Sequence, residues 1–206
     1  MSKISKKLRQ LIAKIKFFIK ILQSNCNSVC IDCGANIGKY SIMMARRGAK
    51  VYAFEPNPWA FEKLLENTKL YPNIISLNKA ISTSESRLKL FLHEKHDKEP
   101  YKNSTGSSLE ESKINIDKLN FVEIEAISLS NFIDKNIKKV SILKMDIEGH
   151  ETKVIPDLIN KKIYKKIESC FVETHSDKNQ KLFSSTKKMI LKAKNKPSFK
   201  CDFNWH

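Results

Sequence analysis

Two short stretches of this sequence concentrate residues that can bind a ligand or move a proton. In the first, an apolar segment at residues 29–33 contains Asp32 and leads into a turn with Gly34 and Gly38. The chain has only five glycines, and two of them lie in this turn, four residues apart. Glycine permits sharp bends and close main-chain approach, so the turn is suited to contact a ligand through its backbone. Glu55 ends the next apolar run, 21 residues after Gly34.

This spacing favours a cofactor that contains a nucleoside but no phosphate. A strand, a glycine turn, a helix and a second strand that ends in an acid form a nucleoside site, with the second acid on the ribose hydroxyls. A dinucleotide site has three spaced glycines for the pyrophosphate, and the third is missing here. Asp32 would also repel a phosphate, whereas it suits a ligand with an ammonium group. We therefore favour S-adenosylmethionine over a dinucleotide and over a plain structural turn.

The second stretch, residues 144–151, is dense in ionisable groups. Lys144 and Asp146 point the same way if they lie on a strand. The carboxyl ends of strands are where open α/β sheets bind their ligands. Glu173 and His175 end the next apolar run and could face this stretch. A salt-bridged strand end would be the ordinary explanation, but the position after a cofactor-type motif favours a reacting site.

Several groups in this stretch could perform the chemistry. His150 and His175 are the natural candidates for a general base, because imidazole titrates near neutral pH, and we favour His150. Lys144 or Glu148 could replace them if strongly perturbed, and Asp146 could reach both the cofactor amine and the acceptor. The acids here and at the neighbouring strand end could also bind a divalent metal together with His175. Carboxylates at a strand end more often orient lysines, so we expect no metal.

The hydrophobic pattern predicts strands that alternate with helices around these motifs. Strands are predicted over residues 29–33, 51–54, 74–77, 87–93, 122–126, 140–145, 167–172 and near 199–205, and helices over 37–47, 58–70, from 151 onwards and up to about 194. This alternation predicts an α/β fold whose sheet is covered by helices on both faces. The polar residues 94–120 are interpreted as a long loop that acts as a lid or an acceptor-binding loop.

Residues 1–25 are predicted to form a basic amphipathic helix, followed by one domain over residues 26–206. Apolar residues at three-to-four spacing define one face of this helix: Ile4, Leu8, Leu11, Ile12, Ile15, Phe18, Ile19 and Leu22. Seven lysines and arginines and no acids fill the remainder. We favour a helix whose apolar face caps the core of the domain or of a dimer partner. The alternative is that residues 1–22 lie on an anionic membrane surface.

Composition narrows the function further. The formal net charge of +16 could indicate nucleic-acid binding, but it comes almost entirely from lysine, whereas arginine carries most base and phosphate recognition. The number of cysteines, five, is odd and does not indicate a framework of disulfide bonds. Cys30 and Cys33 have the spacing of two zinc ligands, but the sequence lacks a second such pair to complete a zinc site. We expect reduced thiols in a cytoplasmic protein. No apolar run approaches 18 residues, so no transmembrane helix is expected.

Taken together, the motifs resemble those of the FkbM family of methyltransferases over roughly residues 28–176. The resemblance is carried by the turn at residues 32–41, Phe54-Glu55-Pro56, Asn78-x-Ala80, Ser107-Ser108-Leu109, Leu129-x-x-Phe132, Lys144-x-Asp146-x-Glu148-Gly149-His150-Glu151 and Glu173-Thr174-His175. It implies a Rossmann-like class I fold with seven strands, mostly parallel, and an antiparallel last strand. It also implies methyl transfer from S-adenosylmethionine, usually to a hydroxyl oxygen of a glycan sugar or a polyketide-type product.

These arguments define the predicted site. The predicted cofactor-binding residues are Asp32, Gly34, Ala35, Asn36, Gly38, Glu55, Asn57, Asn78, Ala80 and Asp146. The predicted catalytic residues are Lys144, Asp146, Glu148, His150 and His175. The favoured function is O-methylation of a sugar in a surface glycan or glycoconjugate precursor. The alternatives are an RNA methyltransferase that uses the basic surface and a non-catalytic scaffold, and the oligomeric state is left open.

Overall fold

Two sheets, six α-helices and a short 3₁₀ helix (Ile163–Lys166) make up the described part of the chain, which in this computed structural model comprises residues 3–93, 107–109, 116–176 and 180–205. The helices are α1 (Lys3–Gln23), α2 (Lys39–Ala45), α3 (Pro58–Thr68), α4 (Leu129–Asn136), α5 (Glu151–Asn160) and α6 (Gln180–Lys194). The strands are β1 (Val29–Cys33), β2 (Lys50–Phe54), β3 (Ile74–Leu77), β4 (Ala80–Ser82), β5 (Ser86–His93), β6 (Ile116–Ser128), β7 (Ile142–Met145), β8 (Cys170–Val172) and β9 (Cys201–Asp202).

The main sheet has the order β3-β2-β1-β7-β8-β9, and every neighbouring pair is parallel. Cys33 at the end of β1 pairs with Phe54 of β2 and Met145 of β7, so these strands end at one edge of the sheet. The predicted α/β fold is therefore confirmed.

The strand prediction needs one correction. The described residues form six strands in this sheet instead of seven, and the last strand, β9, is parallel, so the expected antiparallel last strand is wrong. The reason lies in the connection between β8 and β9. The chain returns across the sheet through α6 before it enters β9, and such a crossover produces parallel pairing.

A second sheet has the order β4-β6-β5. Strands β5 and β6 pair antiparallel, while β4 pairs parallel with β6. Residues 116–120 were predicted as part of the long loop, but they belong to β6, where Ile116 pairs with His93. Leu119 of this segment is 92% exposed although the segment pairs in β6, so burial of this apolar residue gives no signal for the strand. Residues 94–106 and 110–115 of the predicted loop lie outside the described residues.

Alternate residues of the central strands enter different cores, as the two-residue repeat of a strand requires. Cys30 of β1 faces a cluster formed with α1 and α2, whereas Cys33 faces a cluster formed with α4, α5 and α6. The two thiols therefore cannot bind a common metal, and all five cysteines are free. Burial raises the pKa of the Cys30 thiol to about 12, which keeps it protonated.

Helix α1 is confirmed, but the face that packs on the domain is not the predicted one. Ala13, Phe17 and Ile21 are buried, and the Phe17 ring meets those of Tyr40 and Trp205 at centroid distances of 5.4 and 5.3 Å. The apolar face named from the sequence lies on the other side and is exposed wherever its side chains are described. In the described ranges, no helix combines the length and apolar character needed to cross a membrane.

Candidate active site

A cleft lies at the carboxyl edge of the main sheet, bounded by the ends of β1, β2 and β7, by β4 and by residues 107–109. Seven of the residues predicted from the sequence line it: Gly34, Asn36, Glu55, Asn57, Ala80, Asp146 and Glu148. We call it the first cleft. Asp32, Ala35, Gly38, Asn78, Lys144, His150 and His175 do not line it.

The glycine turn follows β1 and is fixed to β2 and β7. The N–H groups of Gly34 and Ala35 both donate to the carbonyl oxygen of Phe54 at 2.9 Å. Gly34 has a φ of +74°, and a Cβ built there would lie 1.8 Å from the carbonyl oxygen of Asp146. Glycine is therefore required here mainly because the turn packs directly on the end of β7. Gly38, with a φ of +89°, allows the start of α2 to pack closely on α3, because a Cβ at this position would lie 2.7 Å from Leu64 Cδ1.

Glu55 directly follows β2 and places its carboxylate at the wall of the first cleft. Its Oε2 accepts from the N–H of Asn36 at 2.8 Å, and its Oε1 accepts from the N–H of Asn57 at 2.9 Å. Burial raises the pKa of Glu55 to about 7, against the opposing effect of these two hydrogen bonds. A carboxylate offers about four acceptor positions, so each oxygen retains capacity for a ligand hydroxyl.

Two asparagines support this corner of the cleft. Asn78 Nδ2 donates to the carbonyl oxygen of Glu55 at 2.8 Å, so Asn78 positions the acid from outside the cleft. Asn57 caps α3 through the N–H groups of Trp59 and Ala60, and its Nδ2 lies 3.3 Å from Ser107 Oγ. Asn57 therefore connects the cofactor-type motif to the short segment at residues 107–109.

Asp32 and Lys144 form a buried ion pair beneath the glycine turn. Lys144 Nζ lies 3.1 Å from Asp32 Oδ1 and donates to the carbonyl oxygen of Gly34 at 2.6 Å. Ser41 Oγ donates to Asp32 Oδ2 at 2.7 Å. Burial alone would lower the pKa of Lys144, but the charges of Asp32 and Asp146 outweigh it and hold the pKa above its ordinary range. Lys144 is thus a permanent cation that supports the turn, and its surroundings do not favour the predicted role as a base.

His150 and His175 occupy different places. His150 precedes α5, is buried, and its Nε2 lies 3.2 Å from Ser82 Oγ on β4. His175 follows β8, and its Nε2 lies 3.2 Å from Glu148 Oε2, 3.6 Å from Asp146 Oδ1 and 3.8 Å from Glu173 Oε1. The structure therefore brings His175 to the acids predicted to react and places His150 beside Ser82.

His175 borders a second cleft, beside the first. The second cleft is lined by Lys6, Gln10, Glu148, Glu173, Thr174, His175, Ser176, Phe203, Asn204 and Trp205. Glu148 lines both clefts, so a ligand in the first and one in the second would meet at this residue. The two clefts could hold a cofactor and an acceptor side by side.

Glu151 orients the His175 ring, a role that sequence reasoning did not assign. Its side chain is fully buried, and its Oε2 accepts from the N–H of Gly149 at 2.8 Å. Its Oε1 accepts from the His175 N–H at 3.2 Å and lies 3.3 Å from Nδ1 of the ring. A proton on Nδ1 satisfies this contact, which leaves Nε2 directed at Glu148 and Asp146.

The acids also set the protonation of this cluster. Burial would lower the pKa of His175, but the hydrogen bond and charge of Glu151, with the charges of Glu148 and Asp146, raise it to about 9. Burial raises the pKa of Asp146 to about 6, although Lys144 opposes this shift. Ligand atoms of Asp146, Glu148 and His175 lie within 4.8 Å of one another, so the cluster could also hold a cation.

Comparison with known proteins matches residues 32–197 to the Methyltransferase FkbM domain. The chain belongs to the FkbM methyltransferase family. This confirms the resemblance seen in the motifs, and it covers the first cleft, both histidines and all of α2 to α6.

Three curated relatives of this FkbM family member are methyltransferases by name. Hexuronic acid methyltransferase AglP of Haloferax volcanii is 28% identical over 170 residues, which cover 82% of this chain and 63% of the relative. Methyltransferase 1 of Beauveria bassiana is 26% identical over 148 residues, 64% of this chain and 59% of the relative. Methyltransferase sdnD of Sordaria araneosa is 23% identical over 184 residues, 72% of this chain and 66% of the relative. The matched part thus spans less than two thirds of the length of the first two relatives.

Proposed function

We propose that this chain transfers a methyl group from S-adenosylmethionine to a hydroxyl oxygen of a sugar in a glycan or glycoconjugate precursor. The observation that carries the proposal is the pair of adjoining clefts: one has an acid placed for a ribose, the other a histidine placed to take a proton, and Glu148 lies between them. Family membership and a relative named for hexuronic acid methylation support it.

The first cleft offers acceptor groups that fit this cofactor. Glu55 presents its remaining lone pairs for the ribose hydroxyls, and Asn57 and Ala80 line the wall beside it. Asp146 Oδ1 is buried and accepts no hydrogen bond from the described residues, so it can receive one from an ammonium group. When bound, S-adenosylmethionine supplies an electrophilic methyl group.

His175 provides the base for the acceptor hydroxyl. Its Nε2 takes the hydroxyl proton, and the buried Glu151 stabilises the resulting imidazolium through Nδ1. Glu148 and Asp146 lie close enough to Nε2 to stabilise the same charge. The reaction requires the neutral imidazole, which the high pKa of His175 makes scarce at neutral pH.

A sugar acceptor fits the lining of the second cleft. Gln10, Thr174 and Asn204 present amide and hydroxyl groups that can pair with sugar hydroxyls. Lys6 lies in the same wall and could pair with the carboxylate of a uronic acid. These groups support a carbohydrate, and we propose a hexuronic acid as the first acceptor to test.

The test is methyl transfer from labelled S-adenosylmethionine to three acceptor classes: oligosaccharides that contain uronic acids, neutral oligosaccharides, and total RNA. We expect a product only from the glycans, with the added mass of one methylene located on a hydroxyl oxygen by fragmentation. Exclusive labelling of RNA would replace the glycan proposal. Cofactor binding by calorimetry without turnover on any acceptor would favour a scaffold, and binding of NAD instead would remove the cofactor assignment.

A further inference from the structure

The outer face of α1 is an exposed apolar stripe. Seven large apolar side chains of this face are between 39% and 63% exposed: Leu8, Leu11, Ile12, Ile15, Phe18, Ile19 and Leu22. An amphipathic helix on a globular domain normally turns such a stripe inward. Here Ala13, Phe17 and Ile21 form the inward face instead. The stripe is therefore a second apolar face of α1, and it takes no part in the core.

The stripe and the inward face lie on opposite sides of α1. At about 100° per residue, the stripe occupies roughly a third of the circumference, and the row from Ala13 to Ile21 lies on the far side. The contacts of Phe17 with Phe171 and Trp205, at centroid distances of 5.0 and 5.3 Å, fix the helix in this rotation. The helix therefore cannot turn its stripe onto the domain without breaking a buried ring cluster.

Basic side chains border the stripe on both sides. On the helical projection, Lys7 and Lys14 lie along one border, Lys16 lies along the other, and Lys20 lies on the same side as Lys16 but closer to Ala13. All four are exposed, and the 21 residues of α1 contain no acid. An apolar band between two basic borders is the pattern of a helix that lies in the plane of an anionic membrane surface.

We propose that α1 docks this protein onto an anionic lipid bilayer, with the stripe among the acyl chains and the lysines among the headgroups. A second copy of the chain fits the stripe less well. If two stripes packed face to face, the lysine borders of both copies would lie close together and repel each other. Each chain also carries a formal net charge of +16, which adds to this repulsion. Anionic headgroups supply the opposite charge, and acyl chains cover the apolar band.

The experiment is sedimentation of the full chain with phosphatidylcholine vesicles that contain or lack phosphatidylglycerol. We expect binding to the anionic vesicles and little binding to the neutral ones. The variant Leu11→Glu/Ile15→Glu should weaken binding by at least about tenfold, since it places two charges in the acyl region. The matched control Leu65→Glu/Leu191→Glu changes two equally exposed leucines outside α1 and should bind like the wild type.

A second pair of variants tests the headgroup contacts. Lys7→Gln/Lys14→Gln/Lys20→Gln should weaken binding to anionic vesicles more than Lys69→Gln/Lys187→Gln/Lys188→Gln, which removes the same charge elsewhere. Near-ultraviolet circular dichroism confirms that each variant is folded.

Three results would overturn the proposal. They are no vesicle binding by the wild type, unchanged binding by the stripe variant, and a dimer in solution that the stripe variant dissociates while vesicles stay unbound. The measurement needs neither cofactor nor acceptor, so its outcome is independent of whether the proposed methyl transfer occurs.

Discussion

Lys144 Nζ lies 3.1 Å from Asp32 Oδ1, and the two side chains are 3% and 0% exposed. The ammonium also faces the rings of Tyr40 and Trp205, at 5.8 and 5.5 Å from their centroids, and donates to the carbonyl oxygen of Gly34. One buried cation thus connects β1, β7 and the glycine turn. These residues act on the first cleft through its backbone, without lining it.

Removal of this cation should strongly destabilise the fold. Lys144→Met leaves the Asp32 carboxylate buried with Ser41 as its one hydrogen-bond donor among the described residues, which we expect to lower the free energy of unfolding by about 3–5 kcal/mol. Urea denaturation measures the change. The double variant Asp32→Leu/Lys144→Met removes both charges and should recover most of the loss. A single variant within about 1 kcal/mol of the wild type would show that the pair contributes little.

Substitution of the two histidines should separate their roles. His175→Asn removes the base and should reduce kcat by roughly 10²–10⁴-fold, with cofactor affinity unchanged. His150→Asn keeps a polar group opposite Ser82 and should lower kcat by less than about tenfold. Steady-state kinetics with the glycan acceptor and calorimetry with the cofactor provide the two readouts. The reverse order of effects would restore His150, the base favoured by the sequence.

The activity should increase with pH. The reacting form of His175 is neutral, and its pKa is raised to about 9, so kcat/KM should rise about tenfold per pH unit up to that region and then level off. Glu151→Gln removes a charge that raises this pKa, so the inflection should move to lower pH while the plateau falls. A profile that is flat between pH 6 and 9 would contradict a base role for His175.

Cofactor binding should weaken as the pH falls. Burial places the pKa of Glu55 at about 7, so below this value the carboxyl gains a proton and loses acceptor capacity for ribose hydroxyls. Calorimetry across this range should show a rising Kd for S-adenosylmethionine at low pH. In Glu55→Gln the affinity should be weak and independent of pH in the same range. If this variant binds like the wild type, Glu55 does not hold the ribose.

A chelator should leave the activity unchanged. The ligand atoms of Asp146, Glu148 and His175 are close enough for a cation, but the proposed reaction assigns His175 Nε2 to the acceptor proton. We expect EDTA-treated protein to retain full turnover and added Mg²⁺ or Mn²⁺ to have no effect. Loss of activity with EDTA and recovery with one of these ions would assign the cluster to a metal instead.

The limits of β1 and the start of α3 could be predicted, because each depends on residues that are neighbours in the sequence. Strand β1 begins and ends at the predicted residues Val29 and Cys33, because a buried apolar run followed by a glycine turn defines both limits. The start of α3 at residue 58 was also predicted correctly, because the helix begins where Asn57 caps the N–H groups directly after it.

Long-range contacts explain what the sequence could not show. Alternation along a strand predicted that Lys144 and Asp146 point the same way, but it did not predict the partners of Lys144. The carbonyl of Gly34 is 110 residues away in the sequence, and the ring of Trp205 comes from another distant segment. The Glu151 contact with His175 joins a helix start to a strand end 24 residues later. Their meeting depends on strand order and register, for which a single sequence gives no direct signal.

Phe17 makes α1 part of the support of the glycine turn. Its ring packs on Tyr40 and Trp205, the same two rings that face the ammonium of Lys144. Truncation of the N-terminal helix would therefore expose the rings of Tyr40 and Trp205 to water and weaken the contacts of Lys144 that support Gly34. It would also remove the outer stripe. A family member without a counterpart of α1 would have to close that end of the sheet with another segment.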